Sequence, residues 1–108
     1  MKKIMRSKIS FLIASFNTKK YTEWSYNSIR KNLSNAHEIV MLDDGSTDGT
    51  WKLLQNLKRK DKNITIHKNK ENIGIAYSFN KMVELSQTKY FVCFIRICMC
   101  RQSLMQFF

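Results

Sequence analysis

The hydrophobic residues of this chain come in short, dense runs separated by segments of helical length, and that spacing leaves few ways to fold. Lys8–Ser15 and Glu38–Leu42 are nearly continuous apolar runs rich in β-forming residues. They are too short for buried helices and suit strands covered on both faces. Asn63–His67 alternates and Lys89–Ile95 is again apolar, so two more strands are expected there. Between the runs lie three helical segments. About Lys20–Leu33 offers an imperfect apolar face of Trp24, Ile29 and Leu33. Thr50–Lys60 carries a stripe of Trp51, Leu53, Leu54 and Leu57, and about Ile75–Leu85 packs through Ala76, Phe79, Met82 and Val83. Strands alternating with helices imply right-handed βαβ units. The expected fold is therefore α/β: a Rossmann-like, mostly parallel sheet with helices on both faces.

Composition excludes several function classes. The net charge is +11 over 108 residues. Such a balance favours an anionic partner: nucleic acid, acidic lipid in a peripheral membrane contact, or a nucleoside diphosphate. The lysines are scattered, apart from Lys58-Arg59-Lys60 and Lys68-Asn69-Lys70, and make no single helix face basic. Neither an RNA-recognition aromatic signature nor a zinc finger is present, so no specific nucleic-acid partner is expected. Cys93, Cys98 and Cys100 are odd in number and lack companions at zinc-ligand spacing, which points to reduced, incidental thiols. No run approaches the ~20 apolar residues of a membrane span, and the start is too short in apolar residues for a secretory leader. A cytoplasmic location is expected.

The densest motif is Asp43-Asp44-Gly45-Ser46-Thr47-Asp48-Gly49-Thr50, directly after a buried strand. Carboxylates at a strand end, beside a glycine that lets the backbone turn, can accept from the N–H and hydroxyl groups of a ligand. A helix start just beyond, capped by Ser46 or Thr47, would favour an anion. Asp-Gly also marks hairpin turns, but the following segment has helical period. The Asp44-x-Ser46-x-Asp48-Gly49 spacing also opens like a calcium loop, yet Gln55 stands where a bidentate Glu is needed. A dinucleotide-dependent oxidoreductase is disfavoured, because no Gly-x-Gly-x-x-Gly follows the first strand.

Three blocks together resemble glycosyltransferase family 2, of the GT-A type. They are Ile9–Asn17, Glu38–Thr50, and Asn72-Ile73-Gly74-Ile75-Ala76 with Asn80. The resemblance implies the first half of a GT-A domain over residues 1–94, with 95–108 as a tail outside the family pattern. It also implies a nucleotide-diphosphate sugar, chiefly a UDP-sugar, as partner, and a glycan or lipid acceptor for the intact enzyme. By the same resemblance, Ala14, Ser15 and Phe16 line the base and ribose pocket and Asn17 holds the loop. Asp44 accepts from the base, Asp43 supports the turn, and Asn72 and Gly74 shape the loop near the donor.

The family's metal, Mg²⁺ or Mn²⁺, is held by an Asp-x-Asp cluster after the fourth strand. Here Phe94 is followed by Ile95-Arg96-Ile97, and no acidic residue follows Glu84. The catalytic base is likewise absent, so no catalytic residue can be assigned. The expectation is a chain truncated before the Asp-x-Asp motif, with a frameshift near residue 94 as one origin. Such a chain would retain nucleotide binding but little or no sugar transfer. Two alternatives stay open: a non-catalytic nucleotide- or polyanion-binding module, and an inactive truncated remnant.

Overall fold

The structure, a computed structural model, describes residues 9–33, 37–88 and 90–94. The tail at 95–108, with Cys98 and Cys100, lies outside the described residues. The elements run β1 (Ile9–Ser15), α1 (Lys19–Asn32), β2 (Glu38–Asp44), α2 (Thr50–Lys60), β3 (Ile64–Asn69), α3 (Ile75–Leu85) and β4 (Tyr90–Phe94). The four strands form one sheet in the order β3-β2-β1-β4, and all three pairings are parallel. The expected α/β arrangement with helices on both faces is therefore present.

Strand alternation sorts the core into two layers. Phe11, Ile13, Ile39, Met41 and Ile64 face Ile29 of α1 and Leu53, Leu54 and Leu57 of α2. Leu12, Val40 and Leu42 point the other way, onto Met82 of α3. The two central strands thus need apolar residues at consecutive positions, which is why they read as unbroken runs. β2 is buried at every residue. β4 lies at the sheet edge, and its Tyr90, Phe91 and Val92 are exposed.

The helices depart from their expected faces. Trp24 is 61% exposed and Leu33 lies beyond the end of α1, while Thr22 and Ser25 are buried instead. Thr22 is admitted because its hydroxyl bonds that of Ser15 at 2.6 Å, which satisfies two polar groups at once. In α3, Met82 and Ser78 are buried and Phe79 packs on the core, but Ala76 and Val83 are exposed. Two strands also outrun their expected ends. β2 takes in Asp43 and Asp44, and β3 starts at Ile64 and continues to Asn69, because the ladder pairs Asp43 with Lys68 and Asp44 with Asn69. Lys58, Arg59 and Lys60 form the last turn of α2, where cations suit the helix dipole, and Lys58 Nζ donates to the Ile64 carbonyl at 2.8 Å.

Burial makes opposite forecasts for two large side chains. Leu54→Ala, at a site with no exposure, should cost ~2–5 kcal/mol in urea unfolding. Trp24→Ala should stay within ~0.5 kcal/mol of the parent.

Candidate nucleotide-binding edge

Parallel pairing brings the carboxyl ends of the strands to one edge, where ligands of open α/β sheets sit. Ser15, the last residue of β1, lies in register with Asp43. The strand order reverses between β1 and β4, so the end of β1 borders that crevice and the Asp43–Thr50 motif lies one strand away, after β2.

The β1–α1 and β2–α2 loops are bonded to each other. Asn17 takes a left-handed conformation (φ 54°), which Asn tolerates better than most residues. Its backbone N–H donates to Ser46 Oγ at 2.8 Å, and its Oδ1 accepts from the Thr47 N–H at 2.8 Å. Asp48 makes the second tie. Its Oδ2 accepts from the Lys19 N–H at 3.0 Å and its Oδ1 from the Thr50 N–H at 3.1 Å. One carboxylate thereby serves the first residues of two helices. The cap expected from Ser46 or Thr47 is not formed. Gly49 (φ 92°) is the N-cap of α2, and Ser46 and Thr47 face Asn17 instead. Of the α2 N–H groups expected to attract an anion, that of Thr50 is engaged by Asp48.

The paired aspartates point to opposite faces of β2 and do different things. Asp43 Oδ1 accepts from the Ser46 N–H at 2.9 Å and shapes the turn. Its Oδ2 is buried and has no hydrogen-bond partner among the described residues. Asp44 turns toward the β3–α3 loop. Its Oδ1 accepts from Asn69 Nδ2 and the Ile73 N–H, both at 2.9 Å. Its Oδ2 accepts from Asn72 Nδ2 at 3.1 Å and the Gly74 N–H at 3.0 Å. Gly45 (φ 80°) seats the same loop, since a Cβ there would lie 2.7 Å from the Asn72 nitrogen.

The remaining candidates divide by exposure. Phe16 is 46% exposed and presents its ring to solvent. Asn72 is exposed and Gly74 half-buried. Ser15 is buried with its hydroxyl on Thr22, and Ala14 packs against the Leu12, Val40, Leu42 and Met82 cluster. Exposed Lys19, Lys20 and Lys70 follow the ends of β1 and β3, beside the carboxylates of Asp43, Asp44, Asp48 and Glu71. Among the described residues no group of three His, Cys, Asp or Glu side chains could hold a metal ion. No helix there is long and apolar enough to cross a membrane.

Sequence reasoning missed Asn69 as a partner of Asp44; only the β2–β3 register brings the two together. It also missed Glu38, a buried carboxylate at the opposite edge. Glu38 Oε1 accepts from Ser10 Oγ at 2.7 Å and the Gln87 N–H at 3.0 Å, tying the α3–β4 connection to the sheet. Asp61, following α2, binds Arg30 Nε and Tyr26 Oη, each at 2.7 Å. Partial burial pulls the Asp61 carboxyl upward, but the bonds from Arg30, Tyr26 and Asn63 outweigh it and hold it below the usual carboxylate value.

For Asp48, slight burial also acts upward, and the donors on Thr50 and Lys19 outweigh it, leaving the carboxyl below its ordinary value. A depressed folded value means that stability is present above the unfolded value and lost as pH falls through the folded one. Asp48→Asn should therefore lower the urea midpoint at neutral pH and flatten its decline below about pH 4, measured between neutrality and acid. Gly45→Ala should destabilise by more than ~1–2 kcal/mol, because left-handed strain is joined by backbone overlap with Glu71 and Asn72.

Comparison with known proteins gives the family and the fold of the chain. The family model described as Glycosyl transferase family 2 matches residues 10–94. An uncharacterized glycosyltransferase of Haemophilus influenzae is 34% identical over 83 residues, covering 77% of this chain and 26% of the relative. Staphylococcus aureus TarS (residues 1–349), solved in complex with UDP-GlcNAc, superposes with TM-score 0.71 at 24% identity, over 80% of this chain and 25% of that one. A mannosyltransferase of Pyrobaculum calidifontis, solved with GDP-Man and Mn²⁺, gives TM-score 0.65 at 19% identity, over 78% and 26%. The two structures are alike in fold. The chain spans about a quarter of the length of each of these proteins.

Proposed function

Because this chain belongs to glycosyl transferase family 2, we propose that the carboxyl edge of β1 and β2 binds the nucleotide of a nucleoside-diphosphate sugar, with a UDP-sugar as the preferred donor. The observation that carries this reading is the parallel register of Ser15 with Asp43, which sets the exposed Phe16 ring and the Asp43–Ser46 turn at one crevice. The base stacks on Phe16, an aromatic surface already open to solvent. Asn17 and Asp48 hold the loops on either side of it through the bonds to Ser46, Thr47, Lys19 and Thr50. Ala14, Ser15 and Asp43 form the floor, and Asp44, Asn72 and Gly74 the wall. Exposed Lys19, Lys20 and Lys70 offer cations within this edge for the diphosphate.

In this reading the whole enzyme moves the sugar to an acceptor hydroxyl of a glycan or lipid. The residues described here contribute binding and orientation. The Mg²⁺ or Mn²⁺ implied by the family does not fit them: Asp44 is committed to protein donors, Asp43 is buried, and Asp48 bridges two helices. Binding of the nucleotide by this chain is therefore independent of divalent metal, and sugar transfer by the chain alone is not expected.

Titration with UDP, followed by calorimetry or by amide shifts of Phe16 and Asn17, tests the assignment. Phe16→Ala should weaken UDP by about tenfold or more, as expected for loss of one stacked base, and Mn²⁺ should change little. Binding that prefers nucleic acid over UDP and collapses steeply with salt would instead establish a polyanion-binding module.

A further inference from the structure

We infer that the outer face of α1 and α2 is a second contact surface, separate from the nucleotide edge, and that it docks on an anionic lipid headgroup layer with Trp24 at the interface. The lysines look scattered along the sequence, but the fold does not spread their charge evenly. α1 and α2 pack on one side of the sheet and α3 on the other. Each of the first two helices carries four lysines or arginines, and Glu23 is the sole acid within them. α3 carries Lys81 and Glu84, 3.5 Å apart, and adds no net charge to its face. The acids that border the α1–α2 layer are committed at its ends. Asp61 binds Arg30 and Tyr26, and Asp48 binds the Lys19 and Thr50 N–H groups.

This layer also holds an aromatic pair that neither the core nor the nucleotide edge uses. Trp24 is 61% exposed, and its ring stacks on that of Tyr21 with 5.9 Å between centroids. Lys20, Trp24, Asn27 and Lys31 recur at helical spacing and are all exposed, so the indole stands between two lysines on one stripe. Lys52, Asn56 and Arg59 form an exposed stripe on α2. Indole and phenol rings settle at the headgroup level, where one end is apolar and the other wet, and lysines beside them meet the lipid phosphates. Nucleic acid fits this face less well, since its readers rely on arginine forks and on rings open to stacking. Both arginines of the layer are engaged within the protein, Arg30 by Asp61 and Arg59 by Asn56, and Tyr21 lies against one side of the indole.

Co-sedimentation of the whole chain with lipid vesicles tests this surface. Equimolar phosphatidylglycerol–phosphatidylcholine vesicles should bind the chain and blue-shift its tryptophan fluorescence, and pure phosphatidylcholine vesicles should do neither. Trp24→Ala, which leaves the core intact, should weaken partitioning by about tenfold, the scale of burying one aromatic ring, and remove most of the shift. Lys31→Gln and Lys52→Gln should each weaken it by about fivefold, the worth of one cation near an anionic surface, while Lys81→Gln on the α3 face should change it by less than about twofold. None of these residues belongs to the nucleotide edge, so UDP binding by the same variants should be unchanged, and failure of either surface is seen without the other. No binding to the anionic vesicles overturns the inference, as does binding that Trp24→Ala leaves unaltered. An equal loss with Lys81→Gln overturns it too, because net charge alone would then account for the binding. Preference for a single-stranded oligonucleotide when both are offered overturns it in favour of nucleic acid.

Discussion

The parallel pairing of β1 with β2 is the constraint on which the remaining structure depends. Both strands are enclosed by helices on two faces, so their side chains must be apolar along most of their length. Parallel direction sends both chains out of the sheet at the same edge, and the register sets Ser15 beside Asp43 there. An antiparallel arrangement of the same two runs would place these residues at opposite ends. The polar residues at this edge are thus brought together by backbone pairing between apolar strands.

At that edge the acidic residues mainly organise the protein. Buried or partly buried carboxylates are costly unless they gather donors. The buried Asp44 takes them from the β3–α3 side, and the exposed Asp48 gathers donors from the starts of α1 and α2. Between them, Asn17, Ser46 and Thr47 join the first two loops. The segment from Asp43 to Thr50 therefore contacts every βα connection described at this edge. It ties the loops of this edge to one another through named hydrogen bonds. Asp43 alone keeps a buried carboxylate oxygen with no partner among the described residues, a local expense that the surrounding packing supports.

Element type was readable from local pattern, and element detail was not. The dense runs at Ile9–Ser15 and Glu38–Leu42 announce buried strands because a central strand must satisfy two apolar layers at once. The Leu53, Leu54 and Leu57 stripe announces α2 because three leucines recur at helical spacing. Trp24 misleads for a physical reason: an apolar residue on a helix need not face the core when the sheet beneath offers polar partners, as Ser15 does for Thr22. The ends of β2 and β3 are not legible in the sequence because Asp43, Asp44, Lys68 and Asn69 are poor strand formers in isolation, and ladder pairing with each other holds them in the sheet.

The amino-acid order by itself determined the α/β class, the placement of the Asp43–Thr50 motif at a strand end, and the family to which the chain belongs. These follow from periodicity and short-range motifs, which are properties of neighbouring residues. Tertiary structure decided what each polar side chain is bonded to. The two aspartates are adjacent in the chain and chemically identical, yet strand alternation sends Asp43 toward the α1–α2 face and Asp44 toward α3, where four donors from residues 69–74 await it. Those partners lie ~25–30 positions away, and only the register of three parallel strands brings them within hydrogen-bond reach.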